Sequence, residues 1–143
     1  MKILKSVIVP FSAEKMFNLV DSCEDYPKFL QWCNNAKIIE RNEHITCAKL
    51  FIDYKLVKSD FTTRNNKKFP EKMEINLVDG PFKSLFGSWN FLALNENACK
   101  INFELNYEFS NIIFEKIIGK VFSLITNSLV ESFIKRAKEL YKK

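Results

Sequence analysis

From Cys99 to Phe109 apolar and polar residues alternate without a break. Cys99, Ile101, Phe103, Leu105, Tyr107 and Phe109 form one set, and Lys100, Asn102, Glu104, Asn106 and Glu108 the other. A period of two puts the sets on opposite faces of an extended strand, and one dry face with one wet face means an antiparallel sheet packed on one side. The same period runs through Leu50, Ile52, Tyr54 and Leu56, and through Met73, Ile75 and Leu77. Turn-forming clusters at Arg41-Asn42-Glu43, Asn65 to Pro70, Asp79-Gly80-Pro81 and Asn95 to Asn97 divide residues 36–109 into about six strands. Residues 2–9 alternate as well and make an earlier strand that Pro10 ends.

At Asn111 the period changes to 3.6. Phe114, Ile118, Val121, Phe122, Ile125, Leu129, Phe133 and Leu140 fall on one helical face, opposite Lys116, Lys120, Ser123, Asn127, Glu131, Lys135 and Lys138. This predicts one long amphipathic helix over 111–141, its dry face against the dry face of the sheet. Ser12 before Ala13-Glu14 predicts a capped short helix to about Val20. Pro27 is tolerated at a helix's first position, so Glu24 to Leu30 reads as a turn into a second short helix. Strand, two short helices, six strands and a long helix is the order of an α+β, START-like helix-grip fold. A curved antiparallel sheet of about seven strands wraps the C-terminal helix in one domain, 1–143. A strongly twisted sheet can stand off the helix and leave an apolar cavity between them.

The length fits one domain. Fourteen phenylalanines point to a deep core or to that cavity. Lys and Arg exceed Asp and Glu by 22 to 17, a net +5, with Lys135, Arg136, Lys138, Lys142 and Lys143 concentrated near the C-terminus. Such an end can meet the phosphates of RNA or anionic lipid, or it can simply complement the helix dipole. The first residues show no charged n-region, apolar h-region and cleavage site, so an intracellular protein is expected. No uninterrupted run of about 18 apolar residues occurs, so no membrane span is expected. Cys23, Cys33, Cys47 and Cys99 lack CxxC spacing, which favours buried reduced thiols over a metal site or disulfides. His44 is the only histidine, and no HExxH, Gly-rich phosphate loop or paired-carboxylate motif accompanies it, so no catalytic residue and no metal site are expected.

One stretch, Leu77 to Phe91, combines a forced reversal at Gly80-Pro81 with an apolar continuation, Phe82-Lys83-Ser84-Leu85-Phe86. Such a sequence is too apolar for a solvated hairpin tip, and it predicts an exposed tip. The chain resembles the coenzyme Q-binding START-domain family, also labelled polyketide cyclase or dehydrase, whose bacterial branch includes ribosome-association toxins. The passages that carry the resemblance are VPFSAEKMFNLV at 9–20, DYPKFLQWC at 25–33, FTTRN at 61–65, LVDGPFKSLFGSWNF at 77–91 and FIKRAKELY at 133–141. Gln31 stands where the family often has proline.

The resemblance implies a domain that binds ubiquinone or a related polyprenyl lipid and supports cellular respiration by lipid delivery or chaperoning, with no required cofactor and no DNA partner. In the bacterial branch it also implies, as the alternative, a toxin that binds the large ribosomal subunit and blocks subunit joining; an aromatic polyketide cyclase is a third and lesser reading. The absence of a basic, acid-poor transit segment favours a bacterial protein or an already processed one, and the expected location is the bacterial cytoplasm with peripheral attachment to the inner membrane. On the lipid reading Phe82, Lys83, Leu85 and Phe86 touch the membrane. The ligand is then bordered by Tyr54, Phe61, Ile75, Leu77, Trp89, Phe103, Leu105, Tyr107, Val121, Phe122, Ile125, Leu129, Phe133 and Arg136. Trp89 and Trp32 either line the cavity or fill the core. Tyr54 and Tyr107 bind a quinone carbonyl or a neighbouring backbone group. Arg136, in the middle of the helix's dry face, either pairs with Asp21, Asp25 or Asp79 or binds a head group. Arg64 reads as a solvated strand residue.

Overall fold

A computed structural model of the chain describes residues 1–141; Lys142 and Lys143, two of the cations expected at the basic end, lie outside the described residues. The order is β1 (Lys2–Val9), α1 (Ala13–Asp21), a 3-10 turn (Cys23–Lys28), β2 (Cys33–Arg41), β3 (Ile45–Tyr54), β4 (Val57–Lys68), β5 (Lys72–Asp79), β6 (Phe82–Asn95), β7 (Ala98–Phe109) and α2 (Ile112–Leu140). The strands form one antiparallel sheet in the order β1-β7-β6-β5-β4-β3-β2. From β2 to β7 it is a plain meander, and β1 closes onto β7 with Ile3 opposite Leu105 and Val9 opposite Cys99. The curved sheet grips α2 as the order of elements predicts.

The caps are those the sequence implies. The Ser12 side chain accepts from the Lys15 amide at 3.2 Å, and the Asn111 side chain from the Phe114 amide at 2.9 Å, each satisfying an amide that the first helical turn leaves open. One reversal is unexpected. Leu56, read as the end of an alternating run, lies fully exposed in a two-residue turn between β3 and β4, where Lys55 and Leu56 both take positive φ (47° and 70°). Such a turn normally uses Asn and Gly, so neither residue announces it.

A second correction concerns the stretch after Pro81. Phe82 and Leu85 are buried, 6% and 4% exposed, whereas Lys83 and Phe86 face solvent. Strand β6 begins at Phe82 itself, and a register shift between Phe82 and Ser84 lets residues three apart both point inward. The Phe82 ring stacks on Phe109 at 5.1 Å and meets Phe122 at 4.9 Å. The apolar run is therefore a core strand rather than an exposed tip.

On α2 the inward residues are Ile118, Phe122, Ile125, Thr126, Val130, Phe133 and Ala137. Val121 and Leu129 are half-buried flanks of that face, and Phe114 and Leu140 are exposed. The first buried residue is Ile118, so the opening turns leave Ile112, Ile113, Phe114 and Ile117 in solvent. By length and composition α2, with a mean hydropathy of 1.4 over its most apolar window, does satisfy the requirement for crossing a bilayer. Serine, threonine and asparagine interrupt its apolar runs without lowering the mean enough to exclude this. In the fold, Phe122, Ile125 and Phe133 instead bury their side chains on the sheet, each worth about 1.5–3 kcal/mol.

Candidate functional site

Between sheet and helix lies a cavity of about 80 Å³. Phe61, Ile75, Trp89, Phe103 and Leu105 line it from the sheet, and Phe122, Ile125, Leu129 and Phe133 from α2. Leu77 and Val121 pack against the core beside it, and Tyr107 is buried against Phe82 and Phe122 outside it. Its size is well below the roughly 300–1,000 Å³ of usual ligand pockets. Aromatic packing explains why: Trp89 meets Phe103 at 4.4 Å and Phe133 at 5.4 Å, so much of the phenylalanine content fills the core.

Residues not anticipated as ligand contacts also line this space, among them Cys23, Tyr26, Leu50, Thr63, Asn65 and Thr126. Asn65 is 8% exposed, and its Oδ1 has no hydrogen-bond partner among the described residues. It lies in the FTTRN passage, where strand parity alone would have placed it beside Phe61 and Thr63 on the inward face. The cavity's ionisable groups stay neutral near pH 7. Burial pushes the Cys23 thiol up to about 12, and it raises the Tyr26 phenol well above its usual range while that hydroxyl donates to the Val20 carbonyl.

Trp32 and Ile125 also line a second, outer space, a groove of about 330 Å³. Lys28, Phe29 and Gln31 border it from the segment before β2, Tyr54 from the end of β3, and Leu124, Ser128, Ser132, Lys135, Arg136 and Glu139 from α2. Tyr54 thus faces the groove rather than the inner cavity. Arg136 does not pair with an aspartate: Asp21 is held by Lys67 at 3.0 Å and by Thr46 at 2.7 Å, and Asp25 by Lys28 at 3.0 Å. Its Nη1 lies 3.8 Å from Glu139 one helical turn on, its guanidinium sits 5.4 Å over the Phe29 ring, and its Nε is shielded without a partner among the described residues. Arg64 pairs with Glu40 at 3.3 Å, and both side chains are largely solvated. The described cysteines are all free and buried, and no cluster of metal-ligating residues occurs among the described residues.

Comparison with known proteins places this geometry. The Ribosome association toxin RatA of Escherichia coli (strain K12) is 39% identical over 140 residues, covering 98% of this chain and 89% of that protein. The Coenzyme Q-binding protein COQ10 homolog B, mitochondrial, of Xenopus laevis is 23% identical, over 96% of this chain and 58% of that protein. A START superfamily protein from Mycobacterium smegmatis superposes with a TM-score of 0.76 at 17% identity, covering 97% of this chain and 98% of that one. The sequence pattern described as polyketide cyclase / dehydrase and lipid transport matches residues 9–134. With its sheet, its gripping helix and nearly its whole length accounted for, the chain belongs to the polyketide cyclase / dehydrase and lipid transport family.

Proposed function

We propose that this chain is a ribosome-associating growth inhibitor that binds the large subunit and prevents subunit joining. The observation that carries the reading is the 39% identity, over 98% of the chain, to a protein named for ribosome association and toxicity. The net charge of +5 suits an RNA surface, and Lys28, Lys135 and Arg136 gather around one groove. On this reading the protein acts by binding, in the bacterial cytoplasm, and makes or breaks no bond. Adding the purified protein to an active translation extract tests the proposal: separate subunit peaks should grow at the expense of joined ribosomes on a sucrose gradient. An unchanged profile at saturating protein would contradict it.

The quinone reading has one specific observation in its favour, the solvent-facing Ile112, Ile113, Phe114 and Ile117 at the start of α2 beside Lys116 and Lys120. An apolar turn flanked by cations suits a membrane interface. A cavity of about 80 Å³ argues against a resident polyprenyl quinone unless the interior opens. Quinone delivery with peripheral attachment to the inner membrane is therefore the second reading.

A further inference from the structure

We infer that the outer groove takes one unpaired nucleotide of RNA, its phosphate at Arg136 and Lys135 and its base stacked on Tyr54. The inference rests on the ribosomal reading for the source of the RNA and goes beyond it in naming the contact.

The groove brings together the three kinds of group that a nucleotide needs. Cations come first: Lys28, Lys135 and Arg136 border it, against the single carboxylate of Glu139. Lys28 is held by Asp25 at 3.0 Å, so Lys135 and Arg136 are the cations left for a phosphate. Arg136 Nη1 lies 3.8 Å from Glu139, too far for a hydrogen bond, and its Nε has no partner among the described residues. The guanidinium is therefore stacked over Phe29 but not hydrogen-bonded, which leaves its fork of N–H groups for an oxyanion.

Aromatic surface comes second. Tyr54 is half-buried at the end of β3, beside the exposed Lys55-Leu56 turn, and Lys55 Nζ lies 5.4 Å over its ring. A base stacked on Tyr54 takes that place, and the displaced ammonium meets a neighbouring phosphate. Acceptors come third. Ser128 Oγ donates to the Leu124 carbonyl at 2.8 Å and Ser132 Oγ to the Ser128 carbonyl at 3.0 Å, so both hydroxyl oxygens keep lone pairs for a ribose hydroxyl or a base N–H. Ser128, Ser132 and Arg136 recur every four residues, a column about 12 Å long on one helical face. That is the reach of one nucleotide from phosphate to base. The volume of about 330 Å³, at the low end for ligand pockets, also limits the occupant to one. A paired base cannot enter such a recess, so the groove selects unpaired RNA over duplex.

Fluorescence anisotropy with the full chain tests this, using a short single-stranded RNA of mixed sequence and the same sequence as a blunt duplex. The single strand should bind roughly tenfold or more tighter than the duplex. Arg136→Met should weaken its binding and lower the slope of log affinity against log salt by about one. Tyr54→Ala should weaken it roughly tenfold with the slope unchanged, and Tyr54→Phe should bind as the native chain does. Lys100→Met, which removes an equal charge from the polar face of β7, should change binding far less. Circular dichroism spectra and melting temperatures matching those of the native chain show that the variants are folded. Equal affinity for duplex and single strand, or equal losses in Lys100→Met and Arg136→Met, overturns the inference, because charge alone would then be read. Co-sedimentation of the same variants with large ribosomal subunits separates it from the ribosomal reading. Subunit binding that Arg136→Met and Tyr54→Ala leave intact overturns the groove and spares that reading. Single-stranded RNA binding lost in both variants, with no binding of the native chain to large subunits, does the reverse. A native chain that binds large subunits but no free RNA also overturns the inference, since the groove would then face ribosomal protein.

Discussion

Asn65 and Glu24 illustrate opposite ways in which a single polar group is held. Asn65 lines the inner cavity, and its Oδ1 has no partner among the described residues, a state that costs about 1–3 kcal/mol. Asn65→Leu, close in shape, should therefore raise the unfolding free energy by about 1 kcal/mol in urea titrations; a loss of stability would mean that the amide is satisfied in solution. Glu24 receives two bonds from Arg41, at 2.5 and 2.8 Å, and these hydrogen bonds hold its carboxyl below the ordinary value of 4.5. A lowered folded-state pKa gives stability that is present above pH 4.5 and is lost as pH falls through the lowered value. Both side chains are about a third or more exposed, so the effect is modest. Thermal melts of the native chain should lose more stability on acidification below pH 4.5 than those of Arg41→Gln, and identical acid profiles would refute the link. Arg136 shows what single residues conceal in sequence: its position on the dry face was readable, but its partner was not. Asp21 is engaged by Lys67 from β4, and Asp25 by Lys28 in its own turn.

Among elements, β6 and α2 carry the lessons. The alternation of β7, the change of period at Asn111 and the Ser12 and Asn111 caps were legible because each is a local property of the backbone. The parity of β6 was not, because the register shift between Phe82 and Ser84 depends on the partner strand. The Lys55-Leu56 turn was hidden for a different reason, since it lacks the residues that favour positive φ. For the site, inward strand parity found Phe61, Trp89 and Phe103, and the helical period found Phe122. It could not reveal that Trp32 borders both the cavity and the groove, because that depends on how the segment before β2 packs beside α2. Two substitutions test the corrected face of β6. Phe82→Ser should cost about 3 kcal/mol or more in chemical denaturation, whereas Phe86→Ser, on the outer face, should stay within about 0.5 kcal/mol. Similar small effects at both positions would restore the exposed tip.

At the scale of the whole molecule, the fold supplies a rigid antiparallel frame, a nearly filled interior and a basic surface. A nearly filled interior argues against a standing lipid cargo, while the charge and the relatives argue for a ribosomal partner. The most direct measurement is equilibrium co-sedimentation of the full chain with isolated large ribosomal subunits across a range of salt concentrations, alongside neutral and anionic liposomes. The account predicts saturable binding to the large subunit that weakens steeply as salt rises, as expected when phosphate contacts dominate, and that exceeds binding to either liposome. Saturable binding to liposomes that persists at high salt, with no binding to large subunits at low salt, would contradict it.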